Sequence, residues 1–119
     1  MVEDDDALLT LGKKMLENLG YTVLTAGSPG DAMLLAGGST GGIDLLITDV
    51  VMPEMNGRDL ANQLHALYRK LPVLFMSGYT ANVVFQQDIV TEKINFMPKP
   101  FSRETLANKI REIFDNPQG

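Results

Sequence analysis

The sequence has 119 residues, a length that suits one domain with a single hydrophobic core. It contains no cysteine, which excludes disulfides and thiolate metal sites, and its net charge of -5 argues against a nucleic-acid-binding surface. No apolar run has the length of a membrane span and the N-terminus lacks a signal-peptide pattern, so we expect a cytoplasmic protein without membrane contact.

Helical and extended patterns alternate along the chain, and capping residues such as Asp5, Ser28 and Ser102 mark helix starts. Gly20 is in the usual position for ending the first helix. In chain order, we predict a helix from Asp5 or Asp6 to about Leu19, a strand over Tyr21–Ala26, a helix from Ser28-Pro29 through Ala36, a flexible connection over Gly37–Gly42, a strand from Ile43 to Asp49, a helix over about Arg58–Arg69, a strand over Val73–Met76, a short helix from Thr80 to about Gln87, a strand over Ile94–Met97, and a helix from Ser102 to Phe114.

This alternation predicts an α/β fold with a doubly wound, five-stranded parallel sheet and right-handed crossovers. Only Met1-Val2 precedes the acidic cluster, so we expect the first strand to be truncated and the chain to be a piece excised from a longer protein. The sequence shows no internal repeat and no second domain. Residues 1–119 are therefore predicted to form one domain, with residues 115–119 as a frayed tail.

The stretch from Ile43 to Gly57 contains the first candidate functional group. Its aliphatic run is typical of a strand covered on both faces, and the run ends at a carboxylate, Asp49. Open α/β sheets place their ligand sites at this carboxyl end of the strands. On its own, Asp49 could cap the turn before Pro53, as acids at strand ends often do, so the other strand ends decide between the two interpretations.

Polar residues also follow the other predicted strands: Glu3 and Asp4 follow the first, Ser77 the fourth and Lys99 the fifth. These ends share one edge of a parallel sheet, and converging carboxylates need a cation. An all-oxygen site favours Mg²⁺, for which Mn²⁺ can substitute, and a lysine beside it can hold a dianion. The chemistry that uses all of these groups is phosphoryl transfer to Asp49.

With these residues in view, the chain resembles the receiver domain of two-component response regulators over essentially its whole length. The matching motifs are Glu3-Asp4, the block DLLITDVVMPEMNG, the pair Ser77-Gly78, and Lys99-Pro100-Phe101. The resemblance implies a flavodoxin-like sheet with strand order 2-1-3-4-5. The sequences GYT and KPF look most like receivers attached to hybrid sensor histidine kinases.

The resemblance implies a role for each matching residue. Asp49 would be the phosphoacceptor, and Lys99 would contact its phosphoryl group. The Mg²⁺ ligands would be Glu3, Asp4, Asp49 and the backbone carbonyl of Val51. Ser77 would be the switch hydroxyl, and Phe96 stands at the coupled aromatic position, where many members carry Tyr. Val51 and Tyr79 would tune autodephosphorylation by controlling access of water, and we expect them to make the phosphoryl lifetime long.

The resemblance further implies a phosphoprotein of signal transduction and phosphorelay that is no enzyme beyond its own phosphorylation and autodephosphorylation. Its partner would be a histidine kinase or a histidine phosphotransfer domain, and dimerisation stays open. Two alternatives are a receiver-like interaction module that never carries phosphate and an aspartate-nucleophile phosphohydrolase. The hydrolase is disfavoured because Val51 stands where it needs a second acid. Asp5 and Asp6 are interpreted as helix caps, and His65 as an exposed side chain.

Overall fold

The computed structural model describes residues 1–38, 42–50, 56–77, 95–99 and 101–115. The predicted helix from Thr80 to Gln87 and residues 116–119 of the predicted tail lie outside this part of the chain. In the described residues, the secondary-structure elements are α1 (Asp6–Asn18), α2 (Pro29–Gly38), β1 (Leu46–Asp49), α3 (Gly57–His65), β2 (Val73–Ser77), β3 (Asn95–Pro98) and α4 (Arg103–Asp115).

The three strands form a parallel sheet in the order β1-β2-β3. Asp49 pairs with Met76 in the register of β1 and β2, and Ser77 pairs with Pro98 in that of β2 and β3. The strands therefore end side by side, because parallel strands in this register place their carboxyl ends at one edge. The prediction of a parallel α/β fold is confirmed, whereas the full set of five strands stays a prediction.

Val2 lies on the other side of β1, where it forms isolated parallel bridges with Thr48 and Ala26. The strand predicted over Tyr21–Ala26 is wrong for Tyr21–Thr25, since Ala26 alone has a bridge. In the described residues, the hydrogen bonds between this segment and residues 1–3 involve only Leu24 and Ala26, whereas a strand needs a continuous ladder of bonds to its neighbour. The β-branched composition of the segment does not replace that neighbour.

The predicted helix caps are confirmed by their hydrogen bonds. The Asp5 carboxylate accepts from the Ala7 and Leu8 amides, and the Ser28 and Ser102 hydroxyls each accept from an amide three residues later. Gly20 has a φ of 97° and follows the C-cap residue of α1. Its amide donates to the Glu17 carbonyl, which completes a Schellman-type end that a residue with a side chain adopts less readily.

Helix α3 ends at His65, four residues before the predicted Arg69. Beyond it the chain makes turns, in which most amide–carbonyl bonds span three residues, for example from the Leu71 amide to the Tyr68 carbonyl. The prediction of an exposed His65 is also wrong: the ring is half-buried, and Nε2 donates to the Leu71 carbonyl at 2.8 Å. That bond holds the turn against the end of α3.

Apolar clusters cover both faces of the sheet. Along β1, Leu46 belongs to the cluster that packs against α2 and α3, and Ile47 to the cluster that packs against α1 and α4. On β2, Phe75 belongs to the cluster on the α2 and α3 face, and Leu74 to the cluster on the α1 and α4 face. Successive side chains point to opposite faces, so a strand covered on both sides needs a continuous apolar run. No helix of the described residues has the length and apolar character needed to cross a membrane.

Candidate functional site

Three side chains from distant parts of the sequence meet at the carboxyl edge of the sheet. Glu3 follows the bridge residue Val2, Asp49 is the last residue of β1, and Lys99 directly follows β3. Lys99 Nζ lies 3.0 Å from Glu3 Oε1 and 3.0 Å from Asp49 Oδ2. The ammonium thus joins two carboxylates whose positions in the sequence differ by 46 residues, and both contacts are charge-assisted hydrogen bonds.

The acids of this cluster are largely removed from solvent. Glu3 is 1% exposed and Asp49 is 5% exposed, whereas Asp4 is exposed. Burial is the main cause that raises the pKa of Glu3 to about 7, and the adjacent Asp49 carboxylate adds to it against the Lys99 ammonium. Burial lowers the pKa of Lys99, but its hydrogen bonds and attraction to the two carboxylates outweigh this, so the pKa is raised. We therefore treat Lys99 as charged.

The same residues fit a divalent cation. One carboxylate oxygen each from Glu3, Asp4 and Asp49 lies within 4.8 Å of the others. Glu3 Oε2 is buried and has no hydrogen-bond partner among the described residues, although buried carboxylate oxygens are normally satisfied. An all-oxygen set with one incompletely satisfied member suits a hard cation such as Mg²⁺. Asp5 and Asp6 stay apart from this set, because Asp5 caps α1 and Asp6 is its first residue.

Of the other predicted site residues, Ser77 and Phe96 lie on described strands, whereas Val51 and Tyr79 do not belong to the described residues. Ser77 ends β2, and its Cα pairs with that of Pro98, one residue before Lys99. Phe96 pairs with Phe75 on β2; it is half-buried and packs against the apolar cluster on the α2 and α3 face. The predictions for Val51 and Tyr79 fall outside the described residues.

Two residues beside Asp49 were not predicted as part of the site. Thr48 is completely buried, and its hydroxyl donates to the Asp49 carbonyl at 3.0 Å. Gly57 begins α3, and its amide donates to the Val50 carbonyl at 2.7 Å. A Cβ on Gly57 would collide with the Asp49 carbonyl oxygen. The sequence places Gly57 at the end of the predicted turn, but only the folded structure shows that this residue approaches Asp49 so closely.

The fold and the cluster together define a parallel α/β domain with an acidic, lysine-containing site at the carboxyl edge of its sheet. The family model described as "Response regulator receiver domain" matches residues 1–111, and the chain belongs to this family. The resemblance identified from the sequence motifs is thereby confirmed. Domains of this family are signalling modules of two-component systems.

Known relatives and solved structures support this assignment. The chain is 35% identical over 115 residues to the sensor kinase CckA of Brucella abortus, covering 97% of this chain and 12% of that protein. It is 31% identical to the response regulator TodT of Pseudomonas putida, covering 93% of this chain and 48% of that protein. The chain thus spans less than half the length of either relative. The receiver domain of the hybrid histidine kinase CckA is similar in structure, with a TM-score of 0.76, 32% identity and 93% of each chain covered. The CheY-like receiver domain of Methanospirillum hungatei has a TM-score of 0.80 at 28% identity, with 98% of this chain and 92% of that chain covered.

Proposed function

We propose that Asp49 is the phosphoacceptor of a signalling switch and that it receives a phosphoryl group from a phosphohistidine of a histidine kinase or phosphotransfer domain. The observation that carries this proposal is the position of Lys99 Nζ, 3.0 Å from both Asp49 and Glu3 at the edge where the strands end. Lys99 is thus largely buried between two carboxylates, which is not the position of a solvated surface lysine. Membership of the receiver family supports the same conclusion.

The transfer makes one bond and breaks one bond. A carboxylate oxygen of Asp49 attacks the phosphorus, and the phosphorus–nitrogen bond of the phosphohistidine breaks, with the electron pair leaving on the imidazole nitrogen. Lys99 donates to an oxygen of the transferred group and offsets its charge. Glu3, Asp4, Asp49 and the Val51 carbonyl would hold Mg²⁺, which when bound supplies electrostatic stabilisation of the phosphoryl oxygens.

The proposed switch lies in the strands next to Asp49. Ser77 would bond to the new phosphoryl oxygens, and Phe96 would follow through its packing alone because it has no hydroxyl. The altered surface of β2, β3 and the nearby helices would then change the affinity for partners. The strand order 2-1-3-4-5 belongs to the same proposal; the bridges from Val2 to Ala26 and Thr48 support it for the first three segments. We further propose that residues 1–119 form one domain.

The lifetime of the phosphoryl group is a separate part of the proposal. Val51 and Tyr79 would flank the phosphorylated Asp49 and restrict the access of water, so autodephosphorylation should be slow. Replacing Tyr79 with Ala should increase the first-order decay rate of the phosphorylated protein. An unchanged decay rate would remove Tyr79 from this role.

The phosphoacceptor assignment is tested by labelling with acetyl phosphate and by binding of beryllofluoride, both with Mg²⁺. We expect one phosphoryl group per chain, detected as a mass increase, and no increase for Asp49→Asn. Asp44→Asn is the matched control, because Asp44 is exposed and precedes β1 at its other end. Equal labelling of Asp49→Asn and the unchanged chain would refute the assignment. Steady turnover of a phosphate ester would instead support the phosphohydrolase alternative.

A further inference from the structure

Thr48 places a hydroxyl group on an otherwise apolar face of β1. Its side chain is completely buried and shares a face of the sheet with Leu46, which belongs to the apolar cluster that includes Val2 and Leu60. A buried hydroxyl is costly unless a hydrogen bond satisfies it. Thr48 makes this bond to the backbone, because its hydroxyl donates to the Asp49 carbonyl at 3.0 Å. The bond therefore joins a core side chain to the backbone of the proposed phosphoacceptor.

The Asp49 carbonyl lies at the point where the N-terminal segment separates from β1. The Val2 amide donates to the Ile47 carbonyl at 2.8 Å, and the Val2 carbonyl accepts from the Asp49 amide at 3.1 Å. In a parallel ladder, the next amide of this series is that of Asp4, and it would donate to the Asp49 carbonyl. The chain instead bends at Asp4 before it enters α1, and among the described residues that bond is not made. The Thr48 hydroxyl supplies the donor in its place.

The peptide group between Asp49 and Val50 is held by two hydrogen bonds. The Val50 amide donates to the Met76 carbonyl at 2.9 Å, and the Asp49 carbonyl accepts from Thr48. Asp49 is almost fully buried, and Gly57 approaches its carbonyl oxygen so closely that a Cβ there would collide with it. Buried backbone carbonyls are nearly always paired, and one that loses its donor is costly. Loss of the Thr48 hydroxyl should therefore favour a rotation of this peptide group.

We propose that Thr48 is a positioning residue of the cation site, which consists of Glu3, Asp4, Asp49 and the Val51 carbonyl. By satisfying the Asp49 carbonyl where Asp4 leaves the ladder, Thr48 would hold the direction in which the chain continues from the Asp49 carboxylate to the Val51 carbonyl. Thr48 would not contact the cation itself, because successive side chains of a strand point to opposite faces. The inference rests on the proposed function, in which these oxygens bind Mg²⁺.

The hydroxyl and the methyl group of Thr48 can be removed separately. Thr48→Val keeps the shape of the side chain and removes the hydroxyl, whereas Thr48→Ser keeps the hydroxyl and removes the methyl group, which lies beside Gly57. If Thr48 only stabilised the fold, Mg²⁺ affinity would follow stability; if it positions the site, affinity follows the hydroxyl. Leu46→Val is the matched control, because it removes buried volume from the same face of β1 without touching the Asp49 carbonyl.

The inference is tested by isothermal titration calorimetry with Mg²⁺ at pH 8, with urea unfolding in EDTA to compare stabilities. We expect Thr48→Val to raise the dissociation constant at least about tenfold, as is typical when a residue that orients a metal ligand is lost, and Thr48→Ser to stay within about threefold. Leu46→Val should lower stability and leave the affinity unchanged. Thr48→Ala also lacks the hydroxyl and should show the loss even if Thr48→Val fails to fold. Unchanged affinity without the hydroxyl, equal losses in the Ser and Ala variants, or no Mg²⁺ binding by the unchanged chain would overturn the inference.

Labelling with acetyl phosphate separates a failure of this inference from a failure of the proposed function. If Asp49 is labelled, Thr48→Val should need at least about tenfold more Mg²⁺ for a half-maximal labelling rate. An unchanged Mg²⁺ dependence in this variant would overturn the positioning role and leave the phosphoacceptor assignment intact. Equal labelling of the unchanged chain and Asp49→Asn would refute the phosphoacceptor assignment, whereas the calorimetric titration would still decide the role of Thr48.

Discussion

Replacing Lys99 with Met tests whether the ion pairs hold the acidic cluster together. The lysine side chain is 18% exposed and makes two contacts of 3.0 Å to carboxylates that are almost fully buried. Removing one partner of a buried ion pair typically destabilises a protein by about 3–5 kcal/mol, because it leaves an uncompensated charge. Proton uptake by Glu3 can relieve part of that loss. We therefore expect Lys99→Met to lower the free energy of unfolding by about 2–4 kcal/mol near neutral pH.

The size of this effect should depend on pH in a defined direction. Without the ammonium, the pKa of Glu3 should rise further above about 7, because the group that opposes its protonation is gone. A protonated Glu3 does not repel Asp49, so the destabilisation should be smaller at pH 5.5 than at pH 8. Urea unfolding followed by far-UV circular dichroism, in the presence of EDTA, measures both values.

Lys109→Met is the matched control for Lys99→Met. Lys109 lies 4.0 Å from Glu112 on the surface of α4, and both side chains are exposed. Exposed pairs of this kind contribute little, so the control should change the free energy of unfolding by less than about 0.5 kcal/mol. If Lys99→Met is as mild as this control, or equally destabilising at both pH values, the ion pairs do not stabilise the cluster. Adding Glu3→Gln to Lys99→Met should recover part of the loss.

Three further predictions concern the same edge of the sheet. Gly57→Ala should destabilise the protein by about 1–3 kcal/mol in urea unfolding because its Cβ meets the Asp49 carbonyl, whereas Gly37→Ala, in an open part of α2, should stabilise it by about 0.5–1 kcal/mol. Mg²⁺ should raise the melting temperature more at pH 8 than at pH 6, because it competes with protons for the carboxylates, and Asp49→Asn should reduce the rise. Since the pKa of Glu3 is about 7 when folded against an ordinary 4.5, the folded state binds more protons between these values. Stability without metal should therefore fall as pH rises through this window, and Glu3→Gln should flatten the fall.

Local signals in the sequence predicted local structure well. The caps at Asp5, Ser28 and Ser102 and the end of α1 at Gly20 each depend on hydrogen bonds between residues a few positions apart. The run through β1 was predicted as buried on both faces because it is continuously aliphatic, and its side chains do alternate between two apolar clusters. In both cases the information lies within one element and its immediate neighbours.

Features that depend on distant neighbours were not predictable in the same way. The segment Tyr21–Thr25 has the composition of a strand, but a strand also depends on hydrogen bonds to a neighbouring segment, which composition does not report. The early end of α3 is accompanied by a bond between the His65 ring and the Leu71 carbonyl, six residues apart, which the predicted helix through Arg69 did not include. Convergence of Glu3, Asp49 and Lys99 was predictable because parallel strands share an edge, but the two equal contacts of Lys99 required the folded geometry.

The charges at this edge constrain how the proposed switch can work. When Glu3 is ionised, three carboxylates and one ammonium leave two negative charges, which a divalent cation would balance. A phosphoryl group on Asp49 would add negative charge next to Lys99, whose ammonium already serves two carboxylates. The phosphoryl oxygens would then compete with Glu3 for the Lys99 ammonium. Without that ammonium, the Glu3 carboxylate would either be stabilised by a bound cation or become neutral by taking up a proton. If Asp49 is the phosphoacceptor, the contact between Glu3 and Lys99 is therefore the interaction within the cluster that phosphorylation should weaken first.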